Sequence, residues 1–119
     1  MQLEDASKMN LLYDFYGGLL KQKQREIFRM YYAEDLSLAE VAADVGVSRQ
    51  AVHETLKKSV AALEEYENKL GLATKYALAE KTLTSVGAAI SLLAEERASD
   101  AELTDRLCGI RAIIDRLEL

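Results

Sequence analysis

Apolar residues recur three and four positions apart from Met9 to Leu117, and no proline interrupts them. Such spacing lines one side of successive helices, and without proline none of those helices has a forced break. Leu, Ala, Glu and Lys, all good helix formers, are abundant along the chain. No segment alternates every second residue as a half-buried strand would. The chain therefore reads as all-α, and its 119 residues suit one domain, or a small domain carrying a helical arm.

Glycines and capping residues divide the pattern. A first helix is expected over about residues 7–17, with Met9, Leu12, Phe15, Tyr16 and Leu19 sharing a face and Gly17-Gly18 as the break. That glycine pair lacks the preceding strand and the lysine of a phosphate loop. A second helix over about 21–33 should bury Ile27, Met30 and Tyr31 and carry Lys21, Lys23, Arg25 and Arg29 on its other side. Ser37-Leu38-Ala39-Glu40 has the form of a capping box, opening a third helix that stops near Asp44. Ser48 is placed to cap a fourth, along which Val52, Leu56, Val60, Leu63, Tyr66 and Leu70 keep helical spacing up to Gly71.

Two more stripes follow. Leu72, Tyr76, Ala79, Leu83, Val86, Ile90 and Leu93 alternate by four and three, and Leu103, Leu107, Ile110, Ile114 and Leu117 do the same. This is the seam that coiled-coil packing uses. Ser99-Asp100-Ala101-Glu102 reads as a second capping box, with Ser99 as the cap, so a short connection should make the two helices antiparallel neighbours. The seams can close on each other within one chain, or pair across two chains as a homodimer through the C-terminal helices. The expected organisation is thus a helix-turn-helix domain over residues 1–70 and a helical hairpin over 71–119.

Residues 38–58, LAEVAADVGVSRQAVHETLKK, meet the physical needs of a helix-turn-helix. Val41, Val45, Val47, Val52 and Leu56 can wedge two short helices together, and Ala42 is small where they cross. Gly46 stands where the turn needs a left-handed backbone. The face after the cap would then present Ser48, Arg49, Gln50, His53, Glu54 and Lys57 to a major groove, where Arg and Gln can reach guanine or adenine edges in pairs of hydrogen bonds. Lys23, Arg25 and Arg29 are placed to contact phosphates, and Lys57 and Lys58 could join them. The same three-helix unit also docks proteins, so the motif alone leaves DNA, RNA and protein open as targets.

The stretch LLKQKQREIFRMYYAEDLSLAEVAADVGVSRQAV resembles the DNA-binding fourth region of sigma-70-type factors. Residues 9–70 more closely resemble the YlxM family of small bacterial helix-turn-helix proteins. The carrying residues are MNLLYDFYGGLL, Tyr31-Tyr32 with Ala33-Glu34-Asp35, the Ser37–Glu40 box, Gly46-Val47-Ser48-Arg49-Gln50-Ala51-Val52, and Leu63-Glu64-Glu65-Tyr66-Glu67 with Lys69-Leu70. The likeness covers about half the chain, and residues 72–119 depart from it. It implies a cytoplasmic regulatory protein linked to the signal recognition particle, with that particle's GTPase or its RNA as partner.

Charge and chemistry narrow the function classes. The net charge is −5, and residues 1–70 hold 9 Lys/Arg against 12 Asp/Glu, so neither half has the basic footprint of a dedicated duplex binder. Glu54 and Asp44 would repel phosphate beside the recognition face. Cys108 is the only cysteine and His53 the only histidine, so neither a disulfide within the chain nor a zinc site is expected. Cys108, next to Leu107, is expected in or beside the core without an activating base, and His53 on the surface. Glu64-Glu65-Glu67 and Glu95-Glu96 read as solvated charge. Catalysis and cofactors are accordingly not expected. Residues 1–8, MQLEDASK, are acidic without an apolar core, and no uninterrupted apolar run approaches ~20 residues, so a cytoplasmic protein with no membrane partner is expected.

Overall fold

A computed structural model describes residues 5–117, so the start of the acidic N-terminal stretch, residues 1–4, lies outside the described residues. Every described element is helical: α1 Ala6–Tyr16, α2 Gln22–Phe28, α3 Leu38–Val45, α4 Arg49–Leu70, α5 Leu72–Glu96 and α6 Ala101–Asp115. A short 3-10 turn, Gly17–Leu19, follows α1, and a π-turn, Arg29–Ala33, follows α2. Two compact units result, Met1–Ala73 and Thr74–Leu119.

In the first unit Met9, Leu12, Tyr16, Leu20, Ile27, Phe28, Tyr32, Val41, Val52, Leu56 and Leu63 form one buried core. Asp5 caps α1 by accepting a hydrogen bond from the Ser7 amide at 3.1 Å. Leu20 enters the core in place of Leu19, which is 60% exposed, because the 3-10 turn ends α1's register after Tyr16. Gly17 is required at that turn, since a Cβ there would lie 2.7 Å from the Tyr13 ring. That ring in turn stacks on Phe28 with centroids 4.9 Å apart.

The expected second helix is interrupted. Its last turn is the π-turn, whose wider spiral shifts the buried face by one residue. Phe28 and Tyr32 are therefore buried with Ile27, while Met30 and Tyr31 are only partly covered. Asn10 donates to the Tyr32 carbonyl at 3.2 Å, and Asp35 takes a positive φ of 57° as the chain turns into α3.

The join between α4 and α5 has its own lock. Gly71 ends α4 in the left-handed conformation (φ 64°), and α5 begins at the next residue with no room for a separate cap. Tyr16 and Glu67 substitute for one. The Tyr16 hydroxyl donates to Glu67 Oε1 at 2.6 Å and accepts from the Leu72 amide at 3.0 Å, while Glu67 Oε1 also accepts from the Ala73 amide at 3.0 Å. Burial, and then the bond to Glu67, push the Tyr16 hydroxyl above its usual pKa of 10.0.

The second unit is a pair of helices, α6 and most of α5. Asp100 rather than Ser99 caps α6, its Oδ1 accepting from the Leu103 amide at 3.1 Å. The carboxylate sits one residue nearer the first turn, three positions before the amide it satisfies. Cys108 is exposed, not packed in a core, because the residue on the inward side is its neighbour Leu107. Among the described residues α5 is the one helix long and apolar enough to cross a membrane by length and composition, and none of its apolar window is buried within the protein, as it would be in a core helix.

Candidate nucleic-acid interface

The helix-turn-helix is set by local chemistry at both of its ends. Ser37 Oγ accepts from the Glu40 amide at 3.1 Å and Glu40 Oε1 accepts from the Ser37 amide at 3.0 Å, so the capping box is closed. The bond from the Ser37 amide, and after it the Ser37 hydroxyl, hold the Glu40 carboxyl below its usual value. At the other end of α3, Gly46 adopts φ 73° and ψ 34°, where a side chain would be strained. The Gly46 and Val47 amides both return to the Ala42 carbonyl, at 3.0 and 3.2 Å, which reverses the chain sharply. Ser48 Oγ then accepts from the Ala51 amide at 3.0 Å and fixes where α4 starts.

Packing holds the two helices at that turn. Val41, Val52 and Leu56 are fully buried and Ala42 nearly so, while Val45 and Val47 pack half-buried against them. With that side of α4 inward, its opposite side is committed to solvent. Ser48, Arg49, Gln50, Glu54, Lys57 and Lys58 are exposed, and His53 is half-buried. At roughly 100° per residue, Arg49, His53, Lys57 and Gln50 span about 100° of α4, with Arg49 at the edge next to Leu56, exposed because it opens the helix, and Glu54 about 40° beyond Gln50. Lys58 lies about a quarter-turn further round and belongs to a different surface.

The basic residues of α2 are split by the structure. Lys23 lines a shallow groove of ≈ 540 Å³ with Gln22, Glu26 and Met30 of α2 and its π-turn and Asp44 and Val45 of α3, next to the turn that leads into α4. Arg25, half-buried, lies about 200° round α2 from Lys23 and so faces away from that groove. Arg29 is exposed and opens the π-turn. Lys23 is thus brought to α3 beside the recognition turn, whereas Arg25 is not on the same side. Acidic Glu26 and Asp44 share the groove with Lys23, so the surface carries both signs. Among the described residues the ion pairs are Glu65–Lys69 and Glu102–Arg106, both one-turn pairs on exposed helix faces elsewhere.

No group of His, Cys, Asp and Glu able to hold a metal ion occurs among the described residues. Sequence reasoning missed the Tyr16–Glu67 lock and the π-turn that orients the entry to α3. The lock joins residues 51 positions apart and leaves no local signal. The π-turn had one: Phe28 and Tyr32 are spaced as a buried pair that the expected stripe passed over.

Comparison with known proteins extends the likeness beyond the helix-turn-helix. The family model described as UPF0122, "Putative helix-turn-helix protein, YlxM / p13 like", matches residues 3–102. A UPF0122 protein of Symbiobacterium thermophilum is 53% identical over 74 residues, 62% of this chain and 69% of its own length. A UPF0122 protein of Thermoanaerobacter sp. (strain X514) is 41% identical over 116 residues, 98% of each chain. One from Streptococcus gordonii is 36% identical over 116 residues, 98% of this chain and 99% of its own. Residues 72–119 therefore follow their relatives as well, contrary to the expectation that likeness stops near residue 70.

Proposed function

Because the chain belongs to the UPF0122 family of YlxM-like helix-turn-helix proteins, we propose that it is a non-enzymatic cytoplasmic regulator that acts by binding. The observation that carries this reading is the start of α4, where the Ser48 cap fixes a first turn that leaves Arg49 exposed, and the buried Val52 and Leu56 turn Gln50 and Lys57 outward beside it. Side chains fixed on a rigid helix face recognise a partner with little loss of freedom on binding.

Its target, in this proposal, lies in the signal recognition particle pathway, either the particle's GTPase or its RNA. The resemblance to the YlxM family supports that choice, and the net charge of −5 supports a short, local contact over a long duplex footprint. A second reading, sequence-specific regulation at DNA, is favoured by exposed Arg49 and Gln50 at the first turn of the recognition helix.

The test is a pull-down with the purified chain from bacterial lysate, with and without nuclease, at low and moderate salt. Recovery of the GTPase after nuclease treatment supports a protein contact, and its loss on nuclease treatment supports the RNA as the bridge. An Arg49→Ala/Gln50→Ala variant should lose either one. Recovery of chromosomal DNA alone, vanishing steeply as salt rises, overturns the targeting-pathway reading in favour of the second.

A further inference from the structure

The second unit leaves most of its apolar side uncovered. From Thr74 to the last described residue, Leu107 is the only buried side chain. On α5, Leu78 is 66% exposed and Leu92 57%, and on α6 Ile113 is 64% exposed. Between the helices a cleft of ≈ 520 Å³ opens, floored by Leu83, Ile90 and Ile114, with Glu80, Arg111 and Asp115 among its lining. A helix pair this open cannot supply its own core.

The composition of α5 points the same way. Residues 82–94 contain no charged side chain on any face. A stretch that is mostly apolar and has no charged face lacks the solvated side of an ordinary surface helix. Its hydroxyls are already prepared for burial. Thr82 and Ser85 bond back to the carbonyls of Leu78 and Lys81 at 2.9 and 3.2 Å, and Thr84 bonds to that of Glu80 at 3.0 Å.

We propose that a second copy of this chain covers that surface, the α5–α6 pairs of two protomers closing into an intermolecular four-helix bundle. The dimensions suit it. At 1.5 Å per residue α5 is about 37 Å long and α6 about 22 Å, and with helices about 10 Å wide the pair projects roughly 600 Å² of flat face. Corrugation raises that toward the ~800 Å² per partner of a standard stable interface. Two-fold pairing also requires a surface that complements itself. The cleft meets this by carrying Arg111 together with Glu80 and Asp115, so a copy turned to face it brings the opposite sign to each.

A bilayer is the competing occupant, and Arg111 argues against it. Its Nη1 donates to Ser91 Oγ at 2.8 Å and to the Gly87 carbonyl at 3.4 Å, at the centre of the uncharged stretch. An α5 that crossed a membrane would carry this guanidinium toward the hydrocarbon centre, where such a charge is costly.

Sedimentation equilibrium of the full chain, from low micromolar to submillimolar concentration, tests the proposal. The expected mass is twice the 13.2 kDa of one chain, falling to a single chain in a Val86→Glu/Ile113→Glu variant. Both residues are exposed in the lone protomer, so the variant should keep the thermal transition of the first unit. A nitroxide on Cys108, the sole and exposed cysteine, should show label-to-label dipolar coupling that disappears when excess unlabelled chain is mixed in. A one-chain mass at every concentration overturns the proposal, as does a two-chain mass that the variant leaves intact. Flotation of single chains with phosphatidylglycerol–phosphatidylethanolamine vesicles, with α5 protected from protease, would overturn it in favour of the membrane.

Discussion

The first unit buries ten or more large side chains around α4, whereas the second buries one, although both are built from stripes of aliphatic residues at the same helical spacing. The difference lies in what crosses what. In the first unit short helices meet α4 from several sides, and Tyr13, Phe28 and Tyr32 fill the gaps, Tyr13 stacked on Phe28 at 4.9 Å and Tyr32 tilted against Phe28 at 4.6 Å. In the second, two helices lie side by side and each can cover only one flank of the other. An amphipathic pattern therefore says which face is to be buried, and the number of elements present decides whether it is.

Paired truncations should break this comparison most sharply. Leu56→Ala, in the fully packed core, should cost about 2–5 kcal/mol in denaturant unfolding. Ile113→Ala, on the open face, should cost under about 0.5 kcal/mol in dilute solution, where no second copy covers it. Equal losses for the two would contradict the account.

Next in size is the lock at the α4–α5 join. Tyr16→Phe removes a hydroxyl that serves a carboxylate and an amide at once, and should cost about 1.5–3 kcal/mol. Because the folded state holds the Tyr16 proton more tightly than the unfolded chain, its contribution is full below pH 10.0 and is lost as the pH rises through the raised value. Wild type should lose more stability than Tyr16→Phe across that alkaline range.

Gly17→Ala should cost about 1–3 kcal/mol, since the new methyl meets the Tyr13 ring and must push it off Phe28. Near-ultraviolet circular dichroism should report the displaced rings, and an unchanged spectrum with unchanged stability would count against the tight contact.

Within the first unit the smallest effect is expected at the capping box. Ser37→Ala should cost about 0.5–2 kcal/mol at neutral pH. Glu40 has a lowered pKa, so its share of the box is full above its usual 4.5 and lost as the pH falls through the lowered value. Chemical-shift titration of the Ser37 amide should follow that transition, and a shift centred at or above 4.5 would contradict the bond seen here.

What could be read in the sequence was local. Ser37, Ser48, Gly46 and Gly71 act within four residues of the groups they satisfy, and all four stand where spacing placed them. Val41, Val52 and Leu56 were legible because period and burial agree there. The π-turn defeated the period at Met30 and Tyr31 by adding most of a residue to one turn. Leu19 was misjudged because the helix register ends before it, and Cys108 because the inward position beside it belongs to Leu107. For the recognition face, exposure of Gln50 and Lys57 followed from the buried side of α4, whereas Arg49 is exposed because it opens the helix; the offset of Arg25 from Lys23 was in the helical period, and only the place of Lys23 beside α3 needed the tertiary position of α2.

One unit closes its core within a single chain, whereas the other is proposed to need a second copy. Amide hydrogen exchange of the full chain at two widely separated concentrations tests it directly. The α4 amides near Leu56 and Leu63 should exchange equally slowly at both, while α5 amides over residues 82–94 should become protected only at the higher one. Equal protection of 82–94 at both concentrations would contradict it.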